Sequence, residues 1–271
     1  MLPALRCPSC HSHLQPEVGQ RAADGEILDA ILDCGQCDRS YPVREGIADF
    51  LGTPQPTTPA QRVNEWPLTA WGYERVWRPF SLTLLSQSPF PYRLELPLIA
   101  RLVQPTRGGL FLDIACSNGL YARALTRAMG AASGHVAALD HALPMLRDAQ
   151  QRARAARLRI SFVRASAQSL PFASASMSGA TIGGSLNEIG DLDQCLREAS
   201  RVLVPNGRFV AMVLTTARTS VGRLIQRAFE PGGVVFFSLD ILLAAFARHG
   251  LPVVERESRG IVVFTQSTKA L

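Results

Sequence analysis

From Gly108 onward, short apolar runs alternate with longer segments of helical period, and this alternation constrains the fold of the 271-residue chain more than any other feature. Strand-length runs at 110–114, 135–139, 160–163, 179–185 and 208–214 are separated by stretches that carry helical patterns at 120–129, from 140 to 156, and at 191–203. Strands joined by crossovers of this length run parallel, so the segment predicts a doubly wound α/β sheet. The tail breaks the pattern. After a helix over 239–249, the runs 253–257 and 261–265 are separated only by Ser258-Arg259-Gly260, and a connection that short is a hairpin. One terminal strand is therefore expected to run antiparallel to the rest.

The N-terminus follows a different logic. Cys7-Pro8-Ser9-Cys10 and Cys34-Gly35-Gln36-Cys37 are two Cys-x-x-Cys knuckles with twenty-three residues between them. Each knuckle lets two thiolates meet one ion, and the pair completes a closed tetrahedral zinc site made of Cys7, Cys10, Cys34 and Cys37. Six cysteines in a chain of this length are too few for a disulfide scaffold. His11 and His13 stand beside the first knuckle as competing ligands, but four thiolates already fill the shell. A strand over 40–51 is expected to close the ribbon, and Gly52 to Pro59, with three prolines in eight residues, reads as linker. The expected organisation is a zinc ribbon over 1–52, a linker and helical cap over 53–107, and a Rossmann-like domain over 108–271. In the cap, helices are expected around 70–77 and 92–103, with Trp66, Trp71, Tyr73 and Trp77 as packing residues.

At 47% hydrophobic and 18% charged residues, the composition is that of a globular protein and excludes disordered and fibrous classes. No run approaches a membrane span, and the opening residues lack the apolar core of a signal peptide, so a cytoplasmic protein is expected. The net charge is +6, almost all of the basic side arginine, since Lys269 is the only lysine. Residues 1–51, however, carry four arginines against eight carboxylates, a balance of −4 that leaves +10 for the remainder. A ribbon of that sign argues against nucleic acid as the partner.

The first strand ends in Asp113, the small residues Ala115-Cys116-Ser117-Asn118-Gly119 follow, and a helix begins. Such a turn brings backbone close to a ligand and presents unpaired N–H groups at the helix start. Twenty-seven residues later Asp140 ends the second strand, placed to accept hydrogen bonds from ribose hydroxyls. A pyrophosphate needs the closer wrap of G-x-G-x-x-G, whose positions are largely filled here by Ala115, Ser117 and Leu120. The pattern leans away from a dinucleotide.

Four motifs in order, Leu112-Asp113-Ile114-Ala115-Cys116-Ser117-Asn118-Gly119, Leu139-Asp140 with Met145-Leu146, Ser169-Leu170-Pro171-Phe172, and Arg201-Val202-Leu203-Val204-Pro205-Asn206-Gly207-Arg208-Phe209, carry a resemblance. The segment 108–271 resembles the class I S-adenosylmethionine-dependent methyltransferases of the ubiquinone/menaquinone-biosynthesis type. The whole chain, with its cysteine ribbon and Tyr73-Glu74-Arg75-Val76-Trp77-Arg78, looks like a bacterial and chloroplast subgroup with an N-terminal zinc ribbon. It is similar more loosely to ribosomal-RNA guanine-N1 methyltransferases. The resemblance implies a seven-stranded, mostly parallel sheet with an antiparallel C-terminal hairpin, and S-adenosylmethionine as cofactor. It implies the methionine moiety at Ala115, Cys116, Ser117 and Gly119, the ribose at Asp140, His141 and Met145 flanking the adenine, and Ser166, Ala167 and Gln168 along its edge. Asp113 and Gly183 complete the implied set. The family usually has glycines where Ala115 and Ser117 stand, and acidic residues where Ser166 and Ser178 stand.

Ligands of such sheets sit beyond the carboxyl ends of the strands. Asn187 and Glu188, which follow the fourth strand, are the candidates to orient or deprotonate a nucleophile, although Glu188 reads equally as a capping or surface carboxylate. The aromatic cap and Val234-Val235-Phe236-Phe237 are expected to enclose a small apolar methyl acceptor. Two alternatives stand beside this reading: a ribosomal-RNA base methyltransferase, and a methyltransferase fold that no longer methylates and serves as a binding module or cyclase.

Overall fold

The structure is a computed structural model that describes residues 2–52, 58–63, 66, 74 and 78–270. Its centre is one sheet. In chain order the strands are β1 (Gln15–Arg21), β2 (Ile27–Cys34), β3 (Arg39–Arg44), β4 (Ile47–Asp49), β5 (Gly109–Ile114), β6 (Gly134–Asp140), β7 (Ile160–Arg164), β8 (Met177–Gly183), β9 (Leu203–Leu214), β10 (Val253–Arg259) and β11 (Val262–Thr268). They lie in the order β1-β2-β3-β4-β7-β6-β5-β8-β9-β11-β10.

Strands β5 to β9 pair in parallel, and β11 inserts antiparallel between β9 and β10. The terminal hairpin forms as expected, but β10 runs on through Ser258 and Arg259, so the connection is Gly260-Ile261 and not 258–260. In that connection Gly260 is at φ +57°, where an added Cβ would meet the Leu85 carbonyl at 2.4 Å. The helices are α1 (Pro59–Val63), α2 (Arg78–Ser86), α3 (Tyr92–Val103), α4 (Leu120–Met129), α5 (Leu143–Ala155), α6 (Leu192–Val202), α7 (Ser220–Arg227) and α8 (Leu239–Arg248). The helix expected over 70–77 lies outside the described residues, apart from Glu74.

Among the described residues the sheet has eleven strands, not seven. The seven of the expected fold are β5 to β11, and the other four come from the cysteine ribbon, which is hydrogen-bonded onto them. β4 runs parallel to β7, with Ile47 opposite Phe162, Ala48 opposite Val163 and Asp49 opposite Arg164. An open sheet leaves the backbone groups of its last strand unpaired, and β4 takes up those of β7. The packing is as continuous as the ladder: Leu5, Leu32, Tyr41 and Val43 share one buried cluster with Leu112, Leu139, Val163 and Phe172.

Three expected elements shift. The strand expected over 40–51 is two strands, β3 and β4, because Glu45 (φ +54°) and Gly46 (φ +85°) form a left-handed turn between them. The fourth strand ends at Gly183, since Gly184 is left-handed and opens a 3-10 turn over Ser185–Asn187. The fifth strand begins at Leu203, directly after α6, and absorbs the Pro205-Asn206-Gly207 turn.

Candidate functional site

The carboxyl ends of β5, β6 and β8 converge on the turn at 115–119. Asp113 is 2% exposed, and its two carboxylate oxygens accept from the Ala122 N–H (2.9 Å) and the Thr181 hydroxyl (2.9 Å), which ties β5 to the start of α4 and to β8. Burial pushes its carboxyl up to about 7 against these two donors. The turn is left-handed at Ala115 (φ +50°), Ser117 (φ +50°) and Gly119 (φ +73°). At the first two positions an L side chain therefore occupies backbone that glycine adopts without strain.

Asp140 is buried at the end of β6. Its Oδ2 accepts the Ser117 N–H at 2.7 Å and its Oδ1 the Ala142 N–H at 2.9 Å, so it braces the turn across two strands. The Ser117 hydroxyl stands 3.5 Å from the Met145 sulfur, and Met145 is fully buried. Cys116 is buried, and burial drives its thiol well above the ordinary range. In the middle of the turn, Asn118 is 0% exposed, and both ends of its side-chain amide lack a hydrogen-bond partner among the described residues. A buried amide left this way costs about 1–3 kcal/mol unless a water or a polar ligand meets it.

Asp113, Ala115, Cys116, Ser117 and Gly183 line one cleft together with Arg78, Asn118, Leu120 and Tyr121. Sequence reasoning missed Arg78 and Tyr121. The Arg78 guanidinium forms a bidentate ion pair with the fully buried Glu95 (2.6 Å to each oxygen) and donates to the Tyr121 hydroxyl at 3.1 Å. Gly183 is required beside that ring, since a Cβ there would come within 2.9 Å of it. The signal was present in Glu95, a carboxylate on the apolar face of α3 that needed a buried cation.

The adenine-side candidates sit in the next two loops and do not line the cleft. The Ser166 hydroxyl pairs with Gln168 (2.7 Å), and the Gln168 amide donates to the Ile189 carbonyl at 2.6 Å. Ala167 is buried. His141 Nδ1 lies 3.4 Å from Asp140.

At the reacting end, Asn187 is committed to the backbone. Its amide nitrogen donates to the Leu214 and Val235 carbonyls (2.8 and 2.5 Å), and its oxygen accepts from the Leu214 N–H. It therefore fixes the 234–237 segment and has no donor left for an acceptor molecule. Glu188 is in a different setting: burial raises its carboxyl above the ordinary range, with His141 and Asp140 near enough to act on it. The cap reaches the same place, where the Gln61 amide donates to the Glu188 carbonyl at 2.9 Å.

The four knuckle cysteines also meet. Their sulfurs all lie within 4.8 Å of one another, with close pairs at 3.4–3.7 Å. A disulfide needs about 2.05 Å, whereas four sulfurs at about 2.3 Å from one zinc ion stand about 3.8 Å apart. Burial opposes ionisation of Cys7, yet hydrogen bonds led by the Tyr41 hydroxyl bring its thiol down to about 6. A larger cavity, about 870 Å³, opens at the amino ends of β6 and β7 beside the ribbon, next to His135 and Arg154 and away from the turn.

Residues 112–211 match the family model described as a methyltransferase domain. Over these residues the chain is similar to methyltransferase domains. An uncharacterised chloroplastic methyltransferase of Arabidopsis thaliana is 30% identical over 76% of this chain and 60% of its own length. A 2-phytyl-1,4-naphtoquinone methyltransferase of Thermosynechococcus vestitus is 34% identical over 48% of this chain and 56% of its own. The chain thus spans little more than half the length of these relatives. Among solved structures, the [4+2]-cyclase SpnF shares the fold at a TM-score of 0.61, with 17% identity over 81% of this chain and 99% of that one. Among the described residues, no helix is long and apolar enough to cross a membrane.

Proposed function

We propose that the protein is an S-adenosylmethionine-dependent methyltransferase acting on a small apolar acceptor. The observation that carries the reading is the Asn118 amide, buried and unmet in a turn braced by Asp113 and Asp140. The donor end of that amide suits the carboxylate of an amino-acid group, and its acceptor end suits the ammonium. Asp140 retains lone pairs for a ribose, while Met145 and the 166–168 loop flank the place for a base. Bound there, the cofactor supplies an electrophilic methyl group. The chain's own residues then position the acceptor: Asn187 holds the 234–237 segment, Gln61 ties the cap to Glu188, and Glu188, with its raised carboxyl, takes a proton where the acceptor must lose one.

The apolar acceptor is supported by Phe236 and Phe237 in that segment and by the naphthoquinone named for one relative. We assign the four thiolates to a structural zinc ion, since they leave no open coordination position. The domain plan is a metal ribbon over 1–52, a linker and cap over 53–107 and the transferase over 108–271.

Calorimetry with S-adenosylmethionine, followed by methyl transfer to a naphthoquinone acceptor, tests the reading. Micromolar binding and turnover are expected. Binding without transfer to any apolar acceptor favours a fold retained for another task, as in a cyclase. Salt-sensitive binding and methylation of ribosomal RNA fragments would replace the acceptor class.

A further inference from the structure

Helix α7 is folded inside out. Its large apolar side chains, Val221, Leu224 and Ile225, recur at helical spacing and are 69%, 67% and 57% exposed, while the one buried residue of the helix is Gln226. A surface helix ordinarily turns its apolar stripe inward. Gln226 enforces the inversion: its amide nitrogen donates to the Thr215 carbonyl at 2.9 Å, and its oxygen accepts from the Ala217 N–H at 2.8 Å. Both partners lie on the chain leaving β9, so the helix is pinned by its polar side. Phe229, 51% exposed, and Val235, 48% exposed, continue the apolar surface toward the segment held by Asn187.

The charges around this stripe are of one sign. Between residues 216 and 237 stand Arg218, Arg223 and Arg227 against a single carboxylate, Glu230. Among the described residues, Arg218 and Arg227 form no ion pair, and Arg223 donates only to the Ala217 and Arg218 carbonyls and the Ser220 hydroxyl. A second copy on a two-fold axis would set these arginines against their own equivalents. An anionic lipid surface instead meets arginines with headgroups and takes the apolar side chains at the acyl boundary.

We propose that α7 and the residues after it, as far as Val235, seat the protein on anionic membrane. The apolar acceptor then reaches the 234–237 segment from the lipid phase; that last clause rests on the proposed function, whereas the docking does not.

Flotation with phosphatidylcholine vesicles, with and without phosphatidylglycerol, tests it in the absence of cofactor and acceptor. The wild type floats with the anionic vesicles and less so as salt rises. The double substitution Leu224→Asp with Ile225→Asp lowers the partition coefficient by roughly ten- to a hundredfold, from the apolar area withheld from lipid. Arg218→Gln with Arg227→Gln lowers it about thirtyfold on anionic vesicles alone. Unchanged melting temperatures confirm that the variants fold. Absence of wild-type flotation, equal flotation of the variants, or a concentration-dependent dimer abolished by Leu224→Asp would each overturn the proposal. Loss of flotation leaves the transferase reading standing, and failure of methyl transfer leaves the flotation result standing.

Discussion

Asp49, the last residue of β4, holds the Arg164 guanidinium at 3.0 Å, and the same guanidinium donates to the His141 carbonyl at 3.0 Å. The ribbon thereby reaches the residue that follows Asp140.

Arg164→Met removes both contacts from a largely buried site. Losing charge-assisted hydrogen bonds of this kind costs about 1.5–3 kcal/mol of stability. Cofactor affinity is expected to fall about tenfold, equivalent to about 1.4 kcal/mol, with the rate at saturation unchanged. Calorimetry and saturation kinetics separate the two; a fall in the saturated rate alone would place Arg164 elsewhere in the reaction.

Metal removal should be felt in the 166–173 loop. The Arg6 N–H donates to the Pro171 carbonyl (3.0 Å), and the Ala173 N–H to the Ala4 carbonyl (2.8 Å), on either side of Phe172. Elemental analysis is expected to give about one zinc per chain. After chelation or Cys37→Ser, hydrogen exchange should accelerate in the ribbon and in 166–173 while β5 and β6 keep their protection. Exchange confined to the ribbon would show that the loop stands by itself.

Ala115→Gly relieves a left-handed alanine. The strain is about 1–2 kcal/mol, and glycine gives back part of it through the freer unfolded chain. A net gain of about 0.5–1 kcal/mol is expected in denaturant unfolding. A loss would mean that the Ala115 methyl packs better than its backbone is strained.

Asp113 makes stability depend on pH. Its carboxyl, ordinarily near 3.8, is raised to about 7 in the folded protein by burial. Between those values the folded state keeps a proton that the unfolded chain has released, so this contribution is complete below about 4 and is lost as pH rises through about 7. Denaturation measured on both sides of that window should show the decline in the wild type and a flatter profile in Asp113→Asn. An equally steep profile in the variant would assign it to another group.

The α/β half was readable because its strands are buried on both faces and appear as continuous apolar runs, and because the expected three-residue connection at 258–260 admits only a hairpin. Helix α3 was expected over 92–103, and it spans Tyr92–Val103. The ribbon strands β1 and β2 were not anticipated: β1 is exposed at nearly every position and offers no alternation to read. The pairing of β4 with β7 was equally hidden, since three residues cannot announce a partner more than a hundred positions away. Helix α7 escaped because its apolar residues face outward and its anchor is a glutamine. The positions of Asp113 and Asp140 at strand ends and the gathering of the four cysteines were legible; the commitment of Asn187 to backbone was not, because an amide's partners are set by loops that meet only in the folded chain.

The ladder between β4 and β7 also bears on how the protein behaves when cut. A fragment beginning near residue 108 would contain β5 to β11, yet it would present β7 as a bare template, with Phe162 and Val163 losing the strand opposite them. Such a strand recruits whatever β-segment is nearest, including its own copies. The ribbon is in this sense a stopper against self-association, and the separate expression of the two halves should give aggregates where the intact chain gives a dispersed protein.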